Sequence, residues 1–163
     1  MHTGVGDETE ADDPFAINHA NAKPLEGFHD VVIHGTPDSV TPTQSGSPHH
    51  NHRWLANRLT RDPSYPGGDI RLCACSSGSP DGSFAQNLAN KMGVNVLAPH
   101  HTLWAFPSGN LWVGPSRSQI SQSPGMWTLF RPGWRRIVRA RKSRGGVATA
   151  GSGHPAPGAR YSH

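Results

Sequence analysis

The sequence predicts an α/β fold: a three-layer sandwich around a small, mostly parallel sheet of four to six strands. Three observations predict it. Short apolar runs at 31–33, 70–75 and 96–98 have the length and composition of buried strands. Amphipathic stretches at 52–61 and 83–92 separate those runs. The intervals leave room for a helix in each connection, as parallel neighbours require.

The elements follow in order. Phe28-His29-Asp30-Val31-Val32-Ile33-His34 ends apolar and meets Gly35-Thr36-Pro37-Asp38, a buried strand followed by a turn. Residues 36–51 are rich in Pro, Ser, Thr and Gly and form a long loop, with a weak hairpin around Ser39-Val40-Thr41. In 52–61, Trp54, Leu55 and Leu59 have helical spacing, and Pro63 and Pro66-Gly67-Gly68 close the helix. Residues 69–75 read as a strand and 76–82 as a tight polar turn. The clearest helix is 83–92. Phe84, Leu88 and Met92 recur at every fourth position, Ala85 and Ala89 form a second row, and Gly93 suits the position just past the end. Residues 94–99 make the next strand. The segment 103–113 reads as a hairpin at the rim, turning at Pro107-Ser108-Gly109-Asn110. Trp127, Phe130 and Trp134 are expected to cover an edge or a face.

Composition frames these elements. The 163 residues suit one domain, but only 34% are apolar, and 19 Gly and 15 Pro point to a small ordered core with loose ends. Residues 1–24 are read as a polar linker or extension, 25–135 as the α/β domain and 136–163 as a basic, Gly/Pro-rich disordered tail. The formal charge is +4. Its excess lies in the run from Arg131 to Arg144, which holds no acid, whereas Asp7, Glu8, Glu10, Asp12 and Asp13 crowd the start. Such a basic run can hold nucleic acid or an anionic surface. A solvated tail is the favoured expectation. No stretch approaches the length of a transmembrane span, and no signal-peptide pattern opens the chain. Cys73 and Cys75 stand two apart on one strand, where a mutual disulfide would be strained, so both are expected reduced.

Ligands of open parallel sheets bind beyond the carboxyl ends of strands. His34 and Cys75 both fall at such ends. Imidazole beside a thiol favours the nucleophilic thiolate. The backbone N–H of Gly35 and the turn at 76–78 can face a developing oxyanion. His100 and His101, at the end of the next strand, are rivals for Cys75. Cys73 reads as a core residue. Asp38 and Asp81 can orient a histidine, but each suits a turn cap better. Zinc is disfavoured, because Cys-x-Cys on a strand places its thiolates poorly for one tetrahedral ion, and His49-His50-Asn51-His52 lies in a loop without a partner cluster. The Gly-rich 78–82 lacks the lysine of a phosphate loop.

Val31-Val32-Ile33-His34-Gly35 followed by Ile70-Arg71-Leu72-Cys73-Ala74-Cys75-Ser76-Ser77-Gly78 resembles the caspase-like cysteine peptidases of clan CD type. The resemblance implies His34 as catalytic histidine, Cys75 as nucleophile, and the N–H groups of Gly35 and Cys75 as oxyanion donors. Segments 84–94, 96–99, 103–113 and 125–130 are similar to modules of large bacterial secreted proteins, including polymorphic toxins. The expected function is therefore cleavage of a peptide bond in a peptide or protein substrate, including one within a parent chain, with no cofactor. The alternatives are a toxin-type cysteine transferase or deamidase using His100 or His101, and a non-enzymatic binding or scaffold module. The likeness implies export as part of a larger bacterial protein. Without it a cytoplasmic place is the default, and composition assigns neither.

Overall fold

A computed structural model of the chain describes residues 2–4, 18–42, 48–116, 118–119, 126–133 and 160–162. The first strands are β1 (His2–Gly4), β2 (Phe28–Val32), β3 (His34–Gly35), β4 (Val40–Thr41) and β5 (Asp69–Cys73). They are followed by β6 (Val96–Pro99), β7 (Leu103–Ala105), β8 (Leu111–Val113), β9 (Trp127–Phe130) and β10 (Arg160–Ser162). Two helices are described, α1 (His52–Arg61) and α2 (Phe84–Met92).

The apolar runs pair as parallel neighbours. Val31 stands opposite Leu72 in the β2–β5 pair, and Ile70 opposite Val96 in the β5–β6 pair. The main sheet has the order β1-β2-β5-β6-β9-β10. β1 runs parallel to β2, β9 antiparallel to β6, and β10 antiparallel to β9. β3 with β4, and β7 with β8, form separate two-stranded sheets.

Local chemistry sets the helices. The Asn51 side chain caps α1, accepting from the backbone N–H of Arg53 at 3.0 Å and of Trp54 at 3.1 Å. Gly93 ends α2 at φ 71°, where a side chain would be strained. The strand order advances one way, β2 to β5 to β6. Crossovers of one hand then put both helices on the same face. Leu55 and Leu59 of α1 and Phe84 and Leu88 of α2 bury against Val31, Ile70, Leu72 and Val96. Each large side chain so buried contributes about 1.5–3 kcal/mol relative to exposure. On the opposite face Val32, Cys73, Leu97 and Trp127 pack beneath Leu103 and Val113 of the β7–β8 hairpin.

The expected caspase-like three-layer sandwich around one small, mostly parallel sheet is corrected by this arrangement. The strands divide among three sheets, and the main sheet turns antiparallel at β9 and β10. The two helices lie on one face, and a hairpin with irregular chain covers the other. Two local causes are visible. Trp127–Phe130 was expected as cover, yet its alternation suits a strand: Phe130 joins the helix-side core while Trp127 and Leu129 join the hairpin side. The strand expected to run through His34 leaves the sheet after Ile33, whose N–H still reaches Cys73 O at 3.3 Å. His34 then pairs with Thr41 instead. Trp134 and the basic run beyond residue 133 lie outside the described residues.

Candidate functional site

Alternate side chains of a strand point to opposite faces. In β5 this sends Ile70 and Leu72 to the helices, and Arg71 and Cys73 to the hairpin side. Cys75, just past the strand, follows Cys73. Register places Asp30 of β2 directly opposite Arg71, and Val32 opposite Cys73. The guanidinium therefore meets the carboxylate as a fork: Nε donates to Oδ1 at 2.7 Å, and Nη2 donates to Oδ2. Nη2 also donates to the Lys23 carbonyl at 3.0 Å.

A histidine comes from the chain before β2. Residues 18–21 form a helical turn, tied down where Asn18 Nδ2 donates to Ala105 O at 3.0 Å and Lys23 N to Gly109 O at 3.4 Å. These ties hold His19 over β5. Its Nε2 lies 3.1 Å from Cys73 Sγ and 3.5 Å from Asp30 Oδ2. The ligand atoms of His19, Asp30 and Cys73 all fall within 4.8 Å of one another. A thiol, an imidazole and a carboxylate are thus gathered in a triad-like group. That arrangement is consistent with a cysteine-hydrolase-type site and with thiol-dependent chemistry in general.

Burial sets the electrostatics. Cys73 is wholly buried, and His19 is 2% exposed. Burial pushes the Cys73 thiol well up and the Asp30 charge adds to this, while Arg71 opposes them. Burial works most strongly against the charge of Arg71, but the hydrogen bond to Asp30 together with the charges of Cys73 and Asp30 outweighs it, and the guanidinium stays protonated. One geometric detail separates this group from a proton relay. A relay histidine uses one ring nitrogen for the nucleophile and the other for the acid. Here the same nitrogen, Nε2, faces both sulfur and carboxylate. Nitrogen, oxygen and sulfur lie within 4.8 Å of one another, a spacing that ligands of one metal ion also have.

Cys75 is half-buried, and its sulfur accepts from Leu103 N at 3.4 Å. Burial pushes this thiol up, and backbone hydrogen bonding at Leu103 pulls partly back. Ser76 follows in the left-handed region at φ 57°, and its N–H donates to His101 O at 2.9 Å. Gly78 seats the turn on β6: a Cβ there would lie 2.5 Å from Ala98 O. Half-buried His34 stands in β3. A Cβ on its neighbour Gly35 would lie 2.8 Å from Ala74 Cβ and 3.0 Å from Cys75 O. The absence of a side chain lets the 34–35 segment sit against the end of β5. His100 hydrogen-bonds Thr128 Oγ1 through its ring, and His101 is exposed. Asp38 accepts from Ser83 N at 3.2 Å, at the entry to α2. His50 stacks on Trp54 of α1 with ring centres 3.9 Å apart, His49 Nδ1 lies 3.2 Å from Ser39 Oγ, and His52 opens α1. A shallow depression along α1, lined by Trp54, Asn57, Arg58, Arg61 and Asp62, opens on the helix side, away from both thiols. No helix among the described residues is long and apolar enough to cross a membrane.

Sequence reasoning did not find His19, Asp30 or Arg71. A faint signal existed for two of them. Asp30 and Arg71 each interrupt an apolar strand, and a buried charge needs a partner. His19, in the polar stretch before the first strand, carried no such signal.

No curated protein and no solved structure matches the chain. Residues 7–113, well over half of the chain, match the family described as Domain of unknown function (DUF8616). The matched span holds His19, Asp30, His34, Cys73, Cys75 and the β7–β8 hairpin, and stops before β9. The match shows no relationship to clan CD peptidases or to toxins. The chain belongs to the family described as Domain of unknown function (DUF8616).

Proposed function

We propose that this chain is a thiol-dependent hydrolase that cleaves a peptide bond, with Cys75 as nucleophile. The observation that carries this reading is the seating of Gly35 against Ala74 and Cys75, which sets the His34–Gly35 segment against the open end of β5. The left-handed Ser76 directly after the thiol adds support, since strained backbone concentrates at working sites. Burial keeps the Cys75 thiol protonated, so the reaction needs a base. In this reading His34 takes the thiol proton as sulfur attacks the carbonyl carbon, then returns it to the leaving amine. The N–H groups of Gly35 and Cys75 receive the oxyanion. Water releases the acyl group from sulfur and restores the thiol. No cofactor enters, and the substrate is a peptide or protein, the parent chain included.

A second reading moves the nucleophile to Cys73 with His19 and Asp30. The 3.1 Å contact between His19 and Cys73 favours it. It requires residues 18–25 to lift off a wholly buried sulfur.

An electrophilic peptide probe, with the labelled cysteine mapped by mass spectrometry, tests both. We expect labelling at Cys75 in folded protein, slowed at least about tenfold by His34→Ala, and chain cleavage abolished by Cys75→Ala. Labelling at Cys73 that depends on His19 supports the second reading. Labelling indifferent to both histidines overturns hydrolase function and leaves the scaffold alternative. Dependence on His100 or His101 instead of His34 supports the transferase or deamidase alternative.

A further inference from the structure

The buried group around His19 has a chemistry that peptide cleavage at Cys75 does not use. We propose that His19, Cys73 and Asp30 form a closed site for a soft, low-coordinate metal ion of the copper(I) class.

The first argument is convergence. One nitrogen faces both a sulfur at 3.1 Å and a carboxylate oxygen at 3.5 Å. Two ligands at normal metal distances on one ion stand about 3.5 Å apart. Widening the nitrogen–sulfur gap by about 0.4 Å therefore admits an ion. The second argument is donor type. Thiolate and imidazole are the ligands that select copper(I) or zinc over harder ions. Zinc in structural sites takes four ligands. The cluster supplies three among the described residues, which suits an ion content with fewer.

The third argument is charge. Arg71 already cancels Asp30 through its fork. A monovalent ion on the Cys73 thiolate then leaves the buried group neutral. A dication leaves one positive charge uncompensated in a site that excludes water, which is expensive. Arg71 also does what outer partners of metal-bound carboxylates do: it fixes the orientation of Asp30 while Oδ2 keeps a lone pair for the ion. Binding exchanges the Cys73 sulfur–proton bond for a sulfur–metal bond, and the proton leaves to solvent. The ion enters while residues 18–25 are lifted or before they dock.

The full chain, reduced and metal-free, is titrated without oxygen against a chromophoric copper(I) chelator, with zinc in parallel against a zinc indicator. We expect the chain to take one equivalent of copper(I) from the chelator and to retain no zinc. Cys73→Val and His19→Ala should each weaken binding at least about tenfold, while Cys75→Ala retains it. Circular dichroism checks that each variant is folded. X-ray absorption of the loaded wild-type chain should show sulfur and imidazole on the metal, a readout that needs no variant. Four results overturn the proposal: no copper taken, copper held equally by Cys73→Val, a spectrum without imidazole, or zinc bound while copper is refused. The first or second would leave an ordinary sulfur–histidine hydrogen bond.

Discussion

The two faces of the main sheet are built on opposite principles. The helix side is mainly apolar: Val31, Ile70, Leu72 and Val96 meet Leu55, Leu59, Phe84 and Leu88, with the buried His29 ring set edge-on to Tyr65 beside them. The hairpin side mixes Val32, Leu97 and Val113 with Asp30, Arg71, His19 and two thiols. Regular helices supply a periodic apolar stripe and can seal one face completely. Hairpins and irregular segments cannot, and the space they leave is filled by polar groups that must pair with one another. The contrast teaches where chemistry fits in this fold: on the face that regular structure does not close.

Substitutions can break this contrast on either side. The largest effect is expected from Arg71→Met, which leaves the Asp30 carboxylate buried beside an apolar chain and should cost about 3–5 kcal/mol in urea denaturation. Adding Asp30→Leu should recover most of that loss, because the orphaned charge goes with it. Leu88→Ala on the helix side should cost about 2–5 kcal/mol by opening a cavity in α2's packing. No partner substitution of that kind should restore it, which distinguishes a cavity from an orphaned charge.

The smallest effect is a slope with pH. The folded Cys73 thiol titrates above its unfolded value because it is buried. Its contribution is fully present below about pH 8.5, the ordinary thiol value. As pH rises past that, the unfolded chain loses the proton while the folded chain keeps it. Stability should therefore fall until the folded thiol itself titrates. Burial raises Cys75 and Tyr65 as well, and they slope the same way. Comparing melting temperatures of wild type and Cys73→Val across the alkaline range, under reducing conditions, isolates Cys73. The variant should show the shallower decline.

The helix side was the legible side. The four-residue recurrence of Phe84, Leu88 and Met92 with Gly93 behind them is local, and α2 ends where that pattern ends. The same holds for α1 and for the parallel pairing of β2, β5 and β6. The segment Trp127–Phe130 was misjudged because four residues alternate too briefly to separate a strand from a covering loop. The three-layer expectation failed with it.

The site divides in the same way. The sequence by itself determined that a thiol stands at the open end of a buried strand, and that a His-Gly segment ends another. Both follow from apolar runs meeting turn residues within a few positions. Only the tertiary structure decided that Asp30 meets Arg71, that the 34–35 segment leaves the sheet yet rests on Cys75, and that His19 reaches Cys73. Each depends on strand register or on how a distant segment docks. Those are contacts between residues far apart in the chain, and no local pattern carries their free energy.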